Sequence, residues 1–220
     1  MSTSRKASPI SKSQILPESG VLSFTGMRRT GKTEVSRIVA MRLGFPLFDT
    51  DQIFDSQYHI TIDAFRQSSG WIGFRRVESG IIMDLFSRIG NRAIVSLGGG
   101  ALAHGDSEFH RLLNLQRVKE KGLVVYLTPS PDLLTSARIL ADRELALGQD
   151  PNRPPLPQSD QRSKTAFEKT YDTLRQRHPL YMDACNGFVV YESDKQGTAQ
   201  KMIKEKADQV IREMAKRLRV

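Results

Sequence analysis

The stretch Gly26-Met27-Arg28-Arg29-Thr30-Gly31-Lys32-Thr33 completes the pattern G-x-x-x-x-G-K-[ST] directly after the apolar run Val21-Leu22-Ser23-Phe24. A turn at that point, between a strand and a helix, aims successive backbone N–H groups at a phosphate, and the helix adds its positive N-terminal end. Lys32 then reaches the β- and γ-phosphates, and the Thr33 hydroxyl can sit on Mg²⁺. The helix itself is legible in the spacing of Val35, Ile38, Val39 and Leu43. Arg29 occupies a slot where many such loops carry glycine, so either its backbone dihedrals suit a bulky residue or the loop is altered. Arg28 and Arg29 either add positive charge beside a triphosphate or point into solvent.

Three further groups have chemistry to offer. Asp49 and Asp51 end an apolar segment, so two-residue periodicity puts their side chains on one face if the strand persists that far. One carboxylate can then hold Mg²⁺ while the other orients an acceptor hydroxyl and takes its proton; a plain helix cap is the competing reading. Arg75 and Glu78 stand i,i+3 on a helix, where the glutamate can fix the guanidinium as a two-pronged receptor for a carboxylate. Arg177, before His178-Pro179-Leu180-Tyr181, is a second candidate for that job. Gly98-Gly99-Gly100 removes every side chain after Ile94-Val95-Ser96-Leu97, so a substrate can approach the backbone closely, or the chain simply turns tightly there. His104, His110, Cys185 and Trp71 form no metal-ligand spacing and read as structural.

These groups need a scaffold, and the apolar runs supply one. Strands are expected near 21–25, 46–49, 93–97, 122–127 and 187–191, with helical periodicity between them. That alternation implies an α/β fold, a five-stranded parallel sheet with helices on both faces. Ligands gather at the carboxyl ends of such strands, where the phosphate loop, Asp49-Thr50-Asp51 and the glycine triplet all fall. Residues 142–166, with Asp150, Pro151, Asn152, Arg153, Pro154, Pro155, Leu156 and Pro157, break the pattern and read as a mobile lid. Arg153 would swing from it over ATP. Ile203, Ala207, Val210, Ile211, Met214 and Leu218 give a terminal helix one apolar face for packing on the sheet.

Size and charge narrow the function. The 220 residues suit one α/β domain, expected over 17–220 behind a disordered tail at 1–16. The net charge of +9 suggests nucleic acid at first. Residues 195–220, however, carry eight Lys/Arg against three acids and residues 1–20 three against one, leaving +2 for the body. A nucleic-acid partner is therefore not expected. No run approaches the ~20 apolar residues of a membrane span. Cys185 is the only cysteine, which suits a reducing, cytoplasmic setting.

Taken together, these motifs resemble the shikimate kinase family, small P-loop kinases that use ATP and Mg²⁺ to phosphorylate the 3-hydroxyl of shikimate in aromatic amino acid biosynthesis. The resemblance runs from about Val21 to Asp194. It rests on the phosphate loop, Phe48-Asp49-Thr50-Asp51, Gly73-Phe74-Arg75 with Glu78, the glycine triplet, and Arg153-Pro154 followed by Arg177-x-Pro-x-Tyr181, in the family's order. It implies a sheet of the nucleoside monophosphate kinase type with a lid and a substrate-binding helical region; a monomer is expected, although no motif fixes the oligomeric state. Lys32 and Asp51 would be catalytic. Arg29, Thr30, Gly31, Lys32, Thr33, Glu34 and Arg153 would bind ATP, and Thr33 with Asp49 would hold the metal. Asp51, Arg75, Gly98, Gly99, Gly100 and Arg177 would bind shikimate. The family usually has glycine at the place of Arg29, glutamate at Trp71, and leucines after Arg153-Pro154. Two other readings stay open: a non-catalytic shikimate or quinate sensor, and a kinase for another hydroxy acid such as gluconate.

Overall fold

The computed structural model describes residues 20–148, 165–192 and 198–217. The expected Arg153 contact, most of the lid and the tail at 1–16 lie outside them. The elements run β1 (Gly20–Thr25), α1 (Lys32–Leu43), β2 (Leu47–Asp49), α2 (Thr50–Tyr58), α3 (Ile62–Arg88), β3 (Arg92–Ser96), α4 (Glu108–Lys121), β4 (Gly122–Leu127), α5 (Leu133–Leu147), α6 (Ala166–Ala184), β5 (Val189–Val190) and α7 (Ala199–Arg217). The five strands form one sheet in the order β2-β3-β1-β4-β5, every pairing parallel. The α/β fold expected from the alternation is therefore present, with β5 shorter than the apolar run around it.

The strands read as near-continuous apolar runs because both faces of the sheet are covered. Leu22, Phe24, Ile94, Val125 and Leu127 point to one face and pack with Val35 and Val39 of α1 and Ala207, Val210 and Met214 of α7. Their neighbours Val21, Ala93, Val95 and Val124 point to the other, against Ile82 and Phe86 of α3 and Leu115 and Val118 of α4. Tyr126 joins α5 and α6 through Ala137, Leu140, Leu174 and Tyr181.

Two expectations change. Residues 142–147 continue α5 as helix past its buried residues Ala137, Leu140 and Ala141, with Arg143 bonded to Glu192 and Glu144 to Arg29; α6 begins at Ala166, behind a capping box of Thr165 and Glu168. Helix thus takes residues 142–147 and 166 of the range expected as a lid. The strand β2 also stops at Asp49 and does not carry on through Asp51. Asp49 caps α2, accepting from the N–H groups of Asp51 and Gln52, so the helix starts between the two carboxylates.

Gly70 breaks α3 with φ 68 and ψ 177, a conformation that glycine adopts without strain. The second half of α3 therefore sets off in a new direction, and it carries Trp71, Phe74, Arg75 and Glu78.

Candidate active site

The phosphate loop leaves β1 and enters α1 through Gly31, which caps the helix in the left-handed region with no side-chain bond to the first-turn amides. Those amides and the positive helix end face the loop. Arg29 takes φ 66, so the loop keeps the backbone that a glycine would give and an arginine is accommodated in it, at a cost of roughly 1–2 kcal/mol. Its side chain does not point into solvent: Nε binds Glu144 Oε2 at 2.8 Å and Nη2 binds the carbonyl of Gly148 at 2.8 Å. Arg28 reaches the same carboxylate at 3.5 Å. Lys32 is folded back on the loop, its Nζ donating to the carbonyls of Gly26 and Met27 at 2.9 Å each. Glu34 sits in the first turn of α1 at the rim.

A cavity of about 680 Å³ opens above this loop, and its walls include Thr30, Gly31, Lys32, Thr33, Glu34 and Asp51. The Thr33 hydroxyl donates to Asp49 Oδ2 at 2.9 Å. The two residues expected to share a metal are thus in contact, and they offer the hydroxyl and carboxylate oxygens that suit a hard divalent cation. The cap reading and the metal reading of Asp49 are compatible, because Oδ1 serves the helix amides and Oδ2 faces Thr33.

The glycine triplet is where the remaining groups meet. A Cβ added at Gly98 would lie 2.7 Å from Asp51 Oδ1 and 2.9 Å from Glu78 Oε1, so both carboxylates flank that residue. A Cβ at Gly100 would lie 2.5–2.6 Å from the Arg75 guanidinium nitrogens Nη2 and Nη1. Gly98 and Gly100 thus leave room for three charged groups, which occupy the space a side chain there would need. Gly98 N–H donates to Thr50 Oγ1 at 2.8 Å, and the Tyr181 hydroxyl donates to the carbonyl of Gly99.

Arg75 is buried at 3% exposure, bonded through Nη1 to Glu78 Oε2 at 2.8 Å and through Nε to Asp106 Oδ2 at 3.1 Å. Burial works against its charge, but the two carboxylates outweigh that and hold its pKa above the ordinary guanidinium value. Burial pushes the Glu78 carboxyl up, with Arg75 and Arg177 pulling the other way and Asp51 adding to the rise. The Arg177 charge acts on Glu78, His104 and Tyr181, which brings both candidate arginines to the same corner. Trp71 lies over Arg75 at 5.0 Å and meets Arg66 at 5.6 Å. Read as structural in the sequence, it packs against the candidate carboxylate receptor Arg75.

Several contributors carried no specific signal. Asp106 comes from a loop with no motif, Arg143 and Glu144 fell within the range expected as a lid and stand instead on α5, and Glu192 and Lys206 lie at the last strand and on the terminal helix, which looked purely structural. Lys206 did leave a trace, since it interrupts the apolar stripe between Ile203 and Val210.

His104 is buried beside this corner, and its Nδ1 accepts the Ser107 N–H at 3.3 Å. Burial first, then Arg75, Arg177, Arg111 and His110, lower its pKa from 6.5 to about 3. The folded protein thus binds fewer protons than the unfolded chain between those values, and stability falls as pH drops through that window by up to about 1.4 kcal/mol per unit. Urea midpoints measured from pH 4 to 7 are expected to rise more steeply for the natural chain than for His104→Gln. Equal slopes would contradict a neutral His104.

Among the described residues no helix is long and apolar enough to cross a membrane, and no cluster of three or more His, Cys, Asp or Glu could hold a metal.

The comparisons with known proteins agree with this arrangement. The family model described as shikimate kinase matches residues 28–215. The shikimate kinase of Cupriavidus pinatubonensis (strain JMP 134 / LMG 1197) is 33% identical over 179 residues, 81% of this chain and 80% of the relative. Shikimate kinase 2 of Yersinia enterocolitica is 30% identical over 164 residues, covering 74% and 82%. Among solved structures, the shikimate kinase from Acinetobacter baumannii in complex with shikimate superposes with a TM-score of 0.66 at 26% identity, covering 88% of this chain and 93% of that one. The enzyme from Bacteroides thetaiotaomicron gives 0.62 at 21% identity, a likeness of fold. With the phosphate loop and the arginine-bearing corner joined at one rim of the sheet, and a family match across most of its length, the chain belongs to the shikimate kinase family.

Proposed function

We propose that this protein transfers the γ-phosphoryl group of ATP to the 3-hydroxyl of shikimate, giving shikimate 3-phosphate and ADP, and that it acts as a cytoplasmic monomer with the single domain expected over 17–220. The observation that carries the reading is the crowding at Gly98–Gly100. Asp51 approaches it from the nucleotide cavity, Arg75 from α3, Tyr181 from α6, and Gly99 lies against the backbone of Gly26 and Arg28. A nucleotide on the loop and an acid at the triplet would therefore be neighbours.

In this reading Lys32 leaves the carbonyls of Gly26 and Met27 for the β- and γ-phosphates, which offer it more negative charge. Thr33 and Asp49 would hold Mg²⁺, which when bound supplies charge neutralisation for the phosphates. Asp51 accepts the hydrogen bond of the acceptor hydroxyl and takes its proton as the O–P bond forms. Arg75 has Nε and Nη1 committed to Asp106 and Glu78, leaving Nη2, which faces Gly100, for the substrate carboxylate. Arg177 supplies the second cation. Thr30, Gly31 and Glu34 complete the nucleotide side, with Gly98, Gly99 and Gly100 as the surface against which the ring rests.

A coupled ADP-release assay with Mg²⁺ and ATP decides the matter, run on shikimate, quinate and gluconate side by side. Turnover of shikimate well above the other two is expected. Calorimetric binding of shikimate with no turnover would establish the sensor instead, and turnover of gluconate alone would establish the other kinase.

A further inference from the structure

Lys206 is a buried cation that the phosphoryl-transfer scheme leaves unused. It lies in the middle of α7, 3% exposed, on the stripe that otherwise presents Ile203, Ala207 and Val210 to the core. Its Nζ donates to the carbonyl of Thr30 at 2.7 Å and to Glu192 Oε1 at 2.6 Å. Glu192 in turn receives a two-pronged bond from Arg143, with Nη1 to Oε1 at 2.8 Å and Nη2 to Oε2 at 2.7 Å. Arg143 Nη1 also donates to the carbonyl of Arg29 at 3.1 Å. Two consecutive carbonyls of the phosphate loop are thus each held by a cation, and one carboxylate joins the two cations.

The geometry of the peptide unit gives this arrangement a consequence. In a trans peptide the C=O and the following N–H point to opposite sides of the chain, and no cis peptide occurs among the described residues. Anchoring the Arg29 carbonyl therefore sets the direction of the Thr30 N–H, and anchoring the Thr30 carbonyl sets that of the Gly31 N–H. Both residues line the cavity. The carbonyl oxygens, which would repel a phosphate, are at the same time drawn toward cations. Burial lowers the Lys206 pKa while Glu192 opposes the fall. The carboxylate also relieves the repulsion between Lys206 and Arg143, so neither cation could be kept as well without it.

We propose that Lys206, Arg143 and Glu192 are positioning residues for nucleotide binding, a charge triad that bolts α7 and α5 to the phosphate loop and holds the Thr30 and Gly31 amides ready for the phosphates of ATP. The inference rests on the kinase reading and deepens its nucleotide half. The three residues act through the loop backbone and not on the reacting atoms.

The test compares the natural chain with Lys206→Met, Lys206→Arg and Arg143→Leu. ADP affinity is measured by calorimetry, the inhibition constant of adenosine by competition, and KM for ATP and for shikimate by the coupled assay. Loss of a charged hydrogen bond that orders the loop is expected to weaken ADP binding and raise KM for ATP by roughly tenfold or more in Lys206→Met. Adenosine, which has no phosphate to meet these amides, should keep its affinity, KM for shikimate should stay within about twofold, and Lys206→Arg should recover most of the ADP affinity. Natural ADP affinity in Lys206→Met with only a lower melting temperature would overturn the inference, and so would equal losses for ADP and adenosine. Should Lys206→Met fail to fold, Arg143→Leu carries the same expectation through the Arg29 carbonyl, since that side chain is 25% exposed. Failure of the natural chain to bind either ADP or ATP would overturn the kinase reading and this inference with it.

Discussion

Asp51→Asn is expected to lower kcat for shikimate phosphorylation by roughly 10²–10⁴ while leaving KM for ATP and the denaturation midpoint close to natural. The substitution keeps the size of the side chain and removes only its ability to take a proton and carry negative charge. Asp51 does not cap α2; Asp49 does, through the amides of Asp51 and Gln52. The helix therefore loses no more than the interaction of an acidic residue with its N-terminal end, about 0.3–1 kcal/mol. What changes is the face of the nucleotide cavity beside Gly98, where Asp51 Oδ1 stands in the space that any side chain on that glycine would need. Steady-state kinetics with both substrates varied checks the result. A loss in kcat below about tenfold would remove Asp51 from the role of base or orienting group.

The second large effect is on stability and substrate binding together. Arg75→Met leaves Glu78, itself 5% exposed, buried without its main countercharge. Breaking a buried pair in this way costs about 3–5 kcal/mol, a large share of the roughly 5–15 kcal/mol that holds such a domain together. The variant should therefore shift its urea midpoint strongly and lose shikimate affinity as well. The double variant Arg75→Met/Glu78→Gln separates these outcomes, because it removes the orphaned charge. It should regain much of the stability and none of the affinity. Trp71 is the only tryptophan in the chain and lies 5.0 Å from the Arg75 guanidinium, so its fluorescence is expected to change when a ligand binds at Arg75. Recovery of shikimate affinity in the double variant would show that Arg75 holds the fold and not the substrate.

Most of the scaffold was legible because its signals are local. The apolar runs, the helical spacing of Val35, Val39 and Leu43, and the glycines and lysine of the phosphate loop each report on a few neighbouring residues, and backbone sterics act at that range. The pairing of Arg75 with Glu78 was readable for the same reason, since i,i+3 positions on a helix face each other. The boundary at Asp49 was harder. The two-residue period of a strand and the capping preference of an aspartate make competing claims on the same residues, and the bonds from the Asp51 and Gln52 amides settle it for the helix. Residues 142–147 looked like loop because the polar, proline-rich run beyond them masked the end of a helix whose buried face stops at Ala141 and whose last turn is held by the ion pairs of Arg143 and Glu144.

Composition and spacing alone determined the α/β order, the phosphate loop and the identity of the charged groups around it, because hydrophobic periodicity and glycine placement are properties of short segments. Only the tertiary structure decided that Glu144 and Gly148 hold Arg29, that Asp106 and Trp71 attend Arg75, and that a lysine from the last helix reaches the Thr30 carbonyl. Those contacts join residues up to 176 positions apart. Such partners are chosen by how the helices cross the sheet, and a linear chain carries no spacing rule that would reveal them.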